Sequence, residues 1–101
     1  MDEEVLAIIG YAVRSKALSS LHVACRTGRK LVYAGQVGTA FSTATSTSLQ
    51  ARLQKLATPS AVVVVPAPTP HDRWVVPKLA AKIEYRGMSA EGTLRHAVFK
   101  G

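Results

Sequence analysis

The side chains of this sequence whose types and spacing could do chemistry are its cations. Lys78, Lys82 and Arg86 recur every four residues. Alternate side chains of an extended strand share a face, so this even spacing predicts all three on one side of a sheet. Arg26, Arg29 and Lys30 form a second group around Thr27-Gly28. Both groups suit a phosphate backbone, where each neutralised phosphate releases counterions and makes affinity fall as salt rises. The chain carries 13 Lys and Arg against 6 Asp and Glu, a formal charge of +7, and three of the acids are Asp2, Glu3 and Glu4. A surplus of this size attracts polyanions through its summed field, nucleic acid first and an anionic membrane surface second. Taken alone, the same charges also fit a solvated outer face that serves solubility.

Other chemistry finds little support. His22, His71 and His96 lie far apart with no Cys or carboxylate at ligand spacing, so no metal site is expected. Gly35-Gln36-Val37-Gly38 lacks the length and the lysine of a phosphate-cradling loop. Asp72, Glu84 and Glu91 read as solvated strand ends or turn residues rather than an acid and base pair. The single cysteine, Cys25, alternates with Leu21 and Val23 and reads as a small core residue, and one cysteine forms no internal disulfide. No apolar run approaches the roughly 18 residues that span a bilayer, and an acidic N-terminus is the wrong flank for a secretory signal. An intracellular, cytoplasmic location is expected.

These cations need a scaffold, and the hydrophobic periodicity predicts one. Val5 to Tyr11 reads as a buried strand. Residues 18 to 37 read as a hairpin, since Leu21, Val23 and Cys25 alternate before the turn and Leu31, Tyr33, Gly35 and Val37 after it, with Arg26, Arg29 and Lys30 at its tip. Leu49, Leu53 and Leu56 then recur at helical spacing, with Arg52 and Lys55 opposite. Ser42 or Thr45 can cap this helix and Pro59 blocks its continuation. Ala61 to Val65 is a possible further strand, aggregation-prone unless buried, and 66–70 is a Pro-rich connector. Leu79, Ala81, Ile83 and Tyr85 alternate with Lys78, Lys82, Glu84 and Arg86, and Thr93 to Phe99 supplies a last strand. Three strands, a helix and at least two strands is the order of an OB barrel; an SH3-like barrel has no place for such a helix.

Four segments also carry a resemblance. Leu31-Val32-Tyr33-Ala34-Gly35-Gln36-Val37-Gly38-Thr39-Ala40-Phe41 resembles the "L-x-Y-x-G-x-V-G-T-G-F" segment in the OB domain of bacterial ATP-dependent DNA ligases of the ligase D type. Ile9-Gly10-Tyr11 resembles that domain's first strand, and Trp74-Val75-Val76-Pro77-Lys78-Leu79 its "W-V-x-P-x-L" strand. Gly92-Thr93-Leu94-Arg95-His96-Ala97-Val98-Phe99-Lys100-Gly101 resembles "G-x-L-R-H-P-S-F-x-G", the opening of ligase motif VI, with Ala97 and Val98 in place of Pro and Ser. The resemblance implies a domain that helps close a ligase around nicked duplex DNA, and makes Arg95 the basic position of motif VI and Phe99 its packing position. Ligases of this class attack ATP with the lysine of a Lys-x-Asp-Gly motif, and no such motif occurs in the sequence.

The combined expectation is a mainly β, five-stranded Greek-key OB-fold barrel with one α-helix between strands 3 and 4, spanning residues 1–101 behind an acidic tail at 1–4. Its function would be accessory DNA binding within an ATP-dependent ligase, with Arg26, Arg29, Lys30, Lys78, Lys82 and Arg86 on DNA and no catalysis by this chain alone. The resemblance implies a bacterial nucleoid setting, duplex or nicked DNA and the ligase nucleotidyltransferase domain as partners, and no cofactor on this domain, with ATP and a divalent metal in the full ligase. The alternative is a free-standing OB-fold module that docks on a ligase or another repair protein through its apolar surface.

Overall fold

The computed structural model describes residues 2–15, 17–38, 42–65, 69–90 and 92–100. Residues 66–68 of the Pro-rich connector and Glu91 lie outside them. The architecture is organised around one long strand, β1 (Asp2–Arg14). One edge of β1 pairs antiparallel with β2 (Ala17–Thr27), which pairs with β3 (Lys30–Gly38). Its other edge pairs first with β6 (Ala80–Tyr85) and then with β5 (Asp72–Val75). Two partners on one edge require β1 to bend, and a bulge between Ile8 and Gly10 supplies the bend. Gly10 sits there because a Cβ would stand 2.5 Å from the Trp74 ring and 2.9 Å from the Arg73 carbonyl oxygen.

Helix α1 (Thr43–Gln54) follows β3 as expected, with Ser42 as its N-cap accepting from the Thr45 N–H at 3.1 Å. Leu49 and Leu53 are buried and face the sheet. The helix ends at Gln54, well before Pro59, and β4 (Ala57–Thr58) follows to pair with β5. Beyond β6, β7 (Gly87–Met88) pairs with β8 (Leu94–Arg95), and β9 (Val98–Phe99) pairs back to β6. The expected strand from Thr93 to Phe99 is thus two short pieces. His96 adopts a φ of 54° between them, a left-handed turn that no continuous strand accommodates.

This is the OB-fold order, a three-strand meander, a helix, and a return strand beside β1. The expected mainly β OB fold with one helix is the fold observed, and its barrel is partly open. β3 lies beside β8 and β9, but among the described residues no ladder joins them, so the sheet stays open there.

Four further expectations change. Asp2, Glu3 and Glu4 belong to β1 and pair with Tyr85, Glu84 and Ile83, so these acids are part of the sheet rather than a tail. Val5 is 69% exposed, because the buried positions of β1 start at Leu6. Residues 61–65 form no strand; Val65 is buried and Val64 is 91% exposed. The reason is a second small core on the outer face of β1 and β2, where Ile9, Ala24 and Val65 pack with Ala61, Val63 and Trp74. That cover buries Ser20, His22 and Ala24, the side of β2 expected to face water.

Candidate nucleic-acid interface

The geometry separates the predicted cations into unequal groups. β2 leaves β1 after the Ala7–Ala24 pair and continues beside β3 alone to Thr27–Lys30, so the hairpin tip projects as a two-stranded arm. Its two-residue loop has Gly28 at φ 62°, the glycine position of a type II′ turn, with Arg29 next. Arg26, Arg29 and Lys30 are exposed, and among the described residues none forms an ion pair. Unneutralised charge on an arm clear of the barrel can approach a polyanion without first giving up a partner.

The β6 group is less uniform. Lys82 lies on the outer face of β6, where its Nζ stands 3.2 Å from a Glu3 carboxylate oxygen. The neighbouring Glu84 pairs with Lys100 at 3.5 Å, so this face carries alternating charge. Lys78 lies in the turn before β6 and Arg86 in the bend after it; both are exposed without an ion pair among the described residues. Register places Arg86 beyond the Asp2–Tyr85 pair at the N-terminal end of β1, and Lys78 beyond Ala7–Ala80 in the other direction. The fourfold spacing therefore samples one turn, one strand position and one bend rather than a single stripe.

In the motif VI-like segment, Arg95 is exposed on β8 and its carbonyl accepts from the Arg86 N–H at 3.1 Å. Phe99 is half-buried and packs against the main core. This segment lies against the β3 bulge. Gly35, at φ 135°, has the Leu94 nitrogen 3.3 Å from where a Cβ would be, so a glycine here lets the two backbones meet.

Sequence reasoning missed a buried polar cluster. The His22 Nε2 donates to Asp72 Oδ1 at 2.9 Å, and Nδ1 shares a 3.1 Å hydrogen bond with the Tyr33 hydroxyl. Asp72 Oδ2 accepts from the Thr69 N–H at 2.8 Å, and Trp74 packs on the imidazole with ring centroids 5.1 Å apart. Asp72 is therefore no solvated strand end; its side chain is 3% exposed. Burial disfavours its charged form, but hydrogen bonds from Thr69 and His22, with the attraction of His22, outweigh that and hold its carboxyl below the ordinary value. Burial, and then the Asp72 charge, push the Tyr33 phenol up. The cluster ties the start of β5 to β2 and β3. No sequence signal marks it, since His22 and Asp72 are 50 residues apart. Among the described residues, no three His, Cys, Asp or Glu side chains gather as metal ligands would.

An OB fold with a basic projecting arm and a motif VI-like terminal segment defines the class to which comparison with known proteins assigns the chain. The profile described as the ATP dependent DNA ligase C terminal region matches residues 14–101, and the chain belongs to that family. Over 76 residues it is 37% identical to the multifunctional non-homologous end joining protein LigD of Pseudomonas aeruginosa, covering 72% of this chain and 9% of that protein. The crystal structure of the ligase domain from M. tuberculosis LigD superposes with a TM-score of 0.88 at 28% identity, covering 99% of this chain and 34% of the other. A mycobacterial DNA ligase D complexed with ATP and MES gives 0.84 at 28% identity, with the same coverage. The chain thus spans about a third of the ligase structures it matches.

Proposed function

We propose that this chain is the DNA-gripping accessory domain of an ATP-dependent DNA ligase and helps a nucleotidyltransferase domain close around nicked duplex DNA. The observation that carries this reading is the arm, where Arg26, Arg29 and Lys30 stand exposed and without ion pairs among the described residues. Arg86 and Lys78 extend the contact along the phosphates, and Lys82, held by Glu3, contributes through the general field. Binding by the domain alone is weak, micromolar or poorer, and indifferent to sequence, because phosphate contacts position without reading bases.

ATP and a divalent metal act in the full ligase. Within these 101 residues no lysine stands in a Lys-x-Asp-Gly context, so the residues present do not fit covalent capture of AMP. Incubation with ATP and magnesium should leave the mass of the chain unchanged; an adduct of one AMP on a lysine would overturn the accessory role. Titration of nicked duplex at low salt tests the grip itself, with saturable binding expected.

A second reading, docking on a repair protein, draws on Val62 and Val64, 42% and 91% exposed beside the second core. If nicked duplex does not bind at low salt, this reading takes precedence.

A further inference from the structure

Away from the arm, the C-terminal half of β1, the last turns of α1, and β4 with β5 border an open cleft of about 570 Å³. That volume falls within the roughly 300–1,000 Å³ of small-molecule sites. We propose that this cleft is a non-covalent site for a single nucleotide, with Arg73 on the phosphate and the Gln50 and Gln54 amides on the base. The inference is independent of the arm, which departs from β1 at the Ala7–Ala24 pair while the cleft is lined by Tyr11 and Val13.

Each part of such a ligand meets matching chemistry. Arg73 is exposed and forms no ion pair among the described residues, so its planar fork is available for a phosphate. Gln50 and Gln54 are one helical turn apart and both line the cleft. A carboxamide offers a donor beside an acceptor, as a base edge does. Gln50 spends one N–H on Ser46 Oγ at 3.0 Å and keeps its other N–H and its carbonyl oxygen. Val13, Ala57 and Pro59 give the cleft an apolar wall against which a flat ring packs.

Two details point inward to a ligand. Tyr11 is 3% exposed and its hydroxyl has no hydrogen-bond partner among the described residues, yet no fully enclosed side-chain oxygen is left unpartnered. That hydroxyl must therefore open onto accessible space, and Tyr11 lines this cleft. Asp72 also lines it, but both of its oxygens are engaged, by His22 and by the Thr69 N–H, so its charge is turned away from an incoming anion. A bare oxyanion would leave the apolar wall and the amides unused; a nucleotide uses all of them. The source is either a free nucleotide or the terminal nucleotide of a strand.

Trp74 is the only tryptophan and follows Arg73 in β5, so it senses a ligand at the cleft through that strand. Its fluorescence in the full chain is titrated with AMP, adenosine, inorganic phosphate and a short 5′-phosphorylated oligonucleotide, with amide chemical shifts followed in parallel. AMP should give a saturable response with shifts confined to the cleft, and adenosine and phosphate should each bind more weakly. R73A should weaken AMP by about tenfold, the loss expected for one charge-assisted contact. Q54A should weaken AMP and adenosine alike, whereas R52A, which removes one charge from the same helix outside the cleft, should leave AMP binding within about twofold. If the oligonucleotide binds the cleft more tightly than AMP, the strand end is the source; if it does not, the free nucleotide is. Phosphate binding as tightly as AMP, equal losses in R52A and R73A, or no saturable response to nucleotide or oligonucleotide at millimolar concentration would each overturn the proposal.

Discussion

Asp72 illustrates how single residues decide this molecule, because one carboxylate fastens β5 to both β2, through His22, and the Thr69 backbone. Its carboxyl is held below the ordinary value of 3.8, so the unfolded chain binds its proton more readily than the folded one. The resulting stability is present above that ordinary value and is lost as pH falls through the lower folded value. D72N should therefore be less stable than the parent at neutral pH and should show a shallower loss of stability on acidification. Chemical denaturation across pH measures both, and parallel pH profiles would show that Asp72 carries no such linkage. H22A strands a buried carboxylate oxygen and should cost about 1–3 kcal/mol or more. Gly10 makes a separate demand. G10A drives a methyl group into the Trp74 ring and the Arg73 carbonyl and should destabilise by roughly 1–3 kcal/mol, read from the urea midpoint.

Among the elements, α1 is fixed at two points of different worth. Ser42 caps its exposed start, whereas Ser46, buried in the second turn, accepts the Leu18 N–H of β2 at 3.0 Å. S42A should cost about 1 kcal/mol, the typical value of a cap. S46A leaves a buried backbone donor unpaired and should cost more, about 1–3 kcal/mol; equal urea midpoints for the two variants would show that the helix–sheet tie is not made. The same contrast shows what the sequence makes legible. Alternation in β6, the Leu49–Leu53 spacing of α1 and the Gly28 turn depend on local period and local backbone, and the structure has each of them. The second core is different, since Val63, Val65 and Trp74 reach β2 only through tertiary folding and overturn its half-buried appearance. The break at His96 follows from two partners, β7 and β6, competing for one segment. Lys82 reads as free charge until Glu3, 79 positions earlier, pairs with it across β1 and β6.

At the scale of the whole molecule, charge is sorted rather than merely abundant. The net +7 conceals a face on β1, β6 and β9 where Glu3, Lys82, Glu84 and Lys100 neutralise one another, and an arm where three cations stand alone among the described residues. The family defines a ligase C-terminal region, and the arm supplies the proposed grip. The measurement that tests this most directly is the salt dependence of affinity for nicked duplex, compared among the parent chain, R29A/K30A and R52A/K55A. Each double substitution removes two positive charges, so diffuse attraction falls equally in both. If the arm contacts phosphates, R29A/K30A should lower the slope of log affinity against log salt by roughly 0.9 for each lost contact. R52A/K55A, on exposed positions of α1 and its C-cap, should leave the slope nearly unchanged. Equal slopes in the two variants would contradict the account and reduce the arm to hydrated surface.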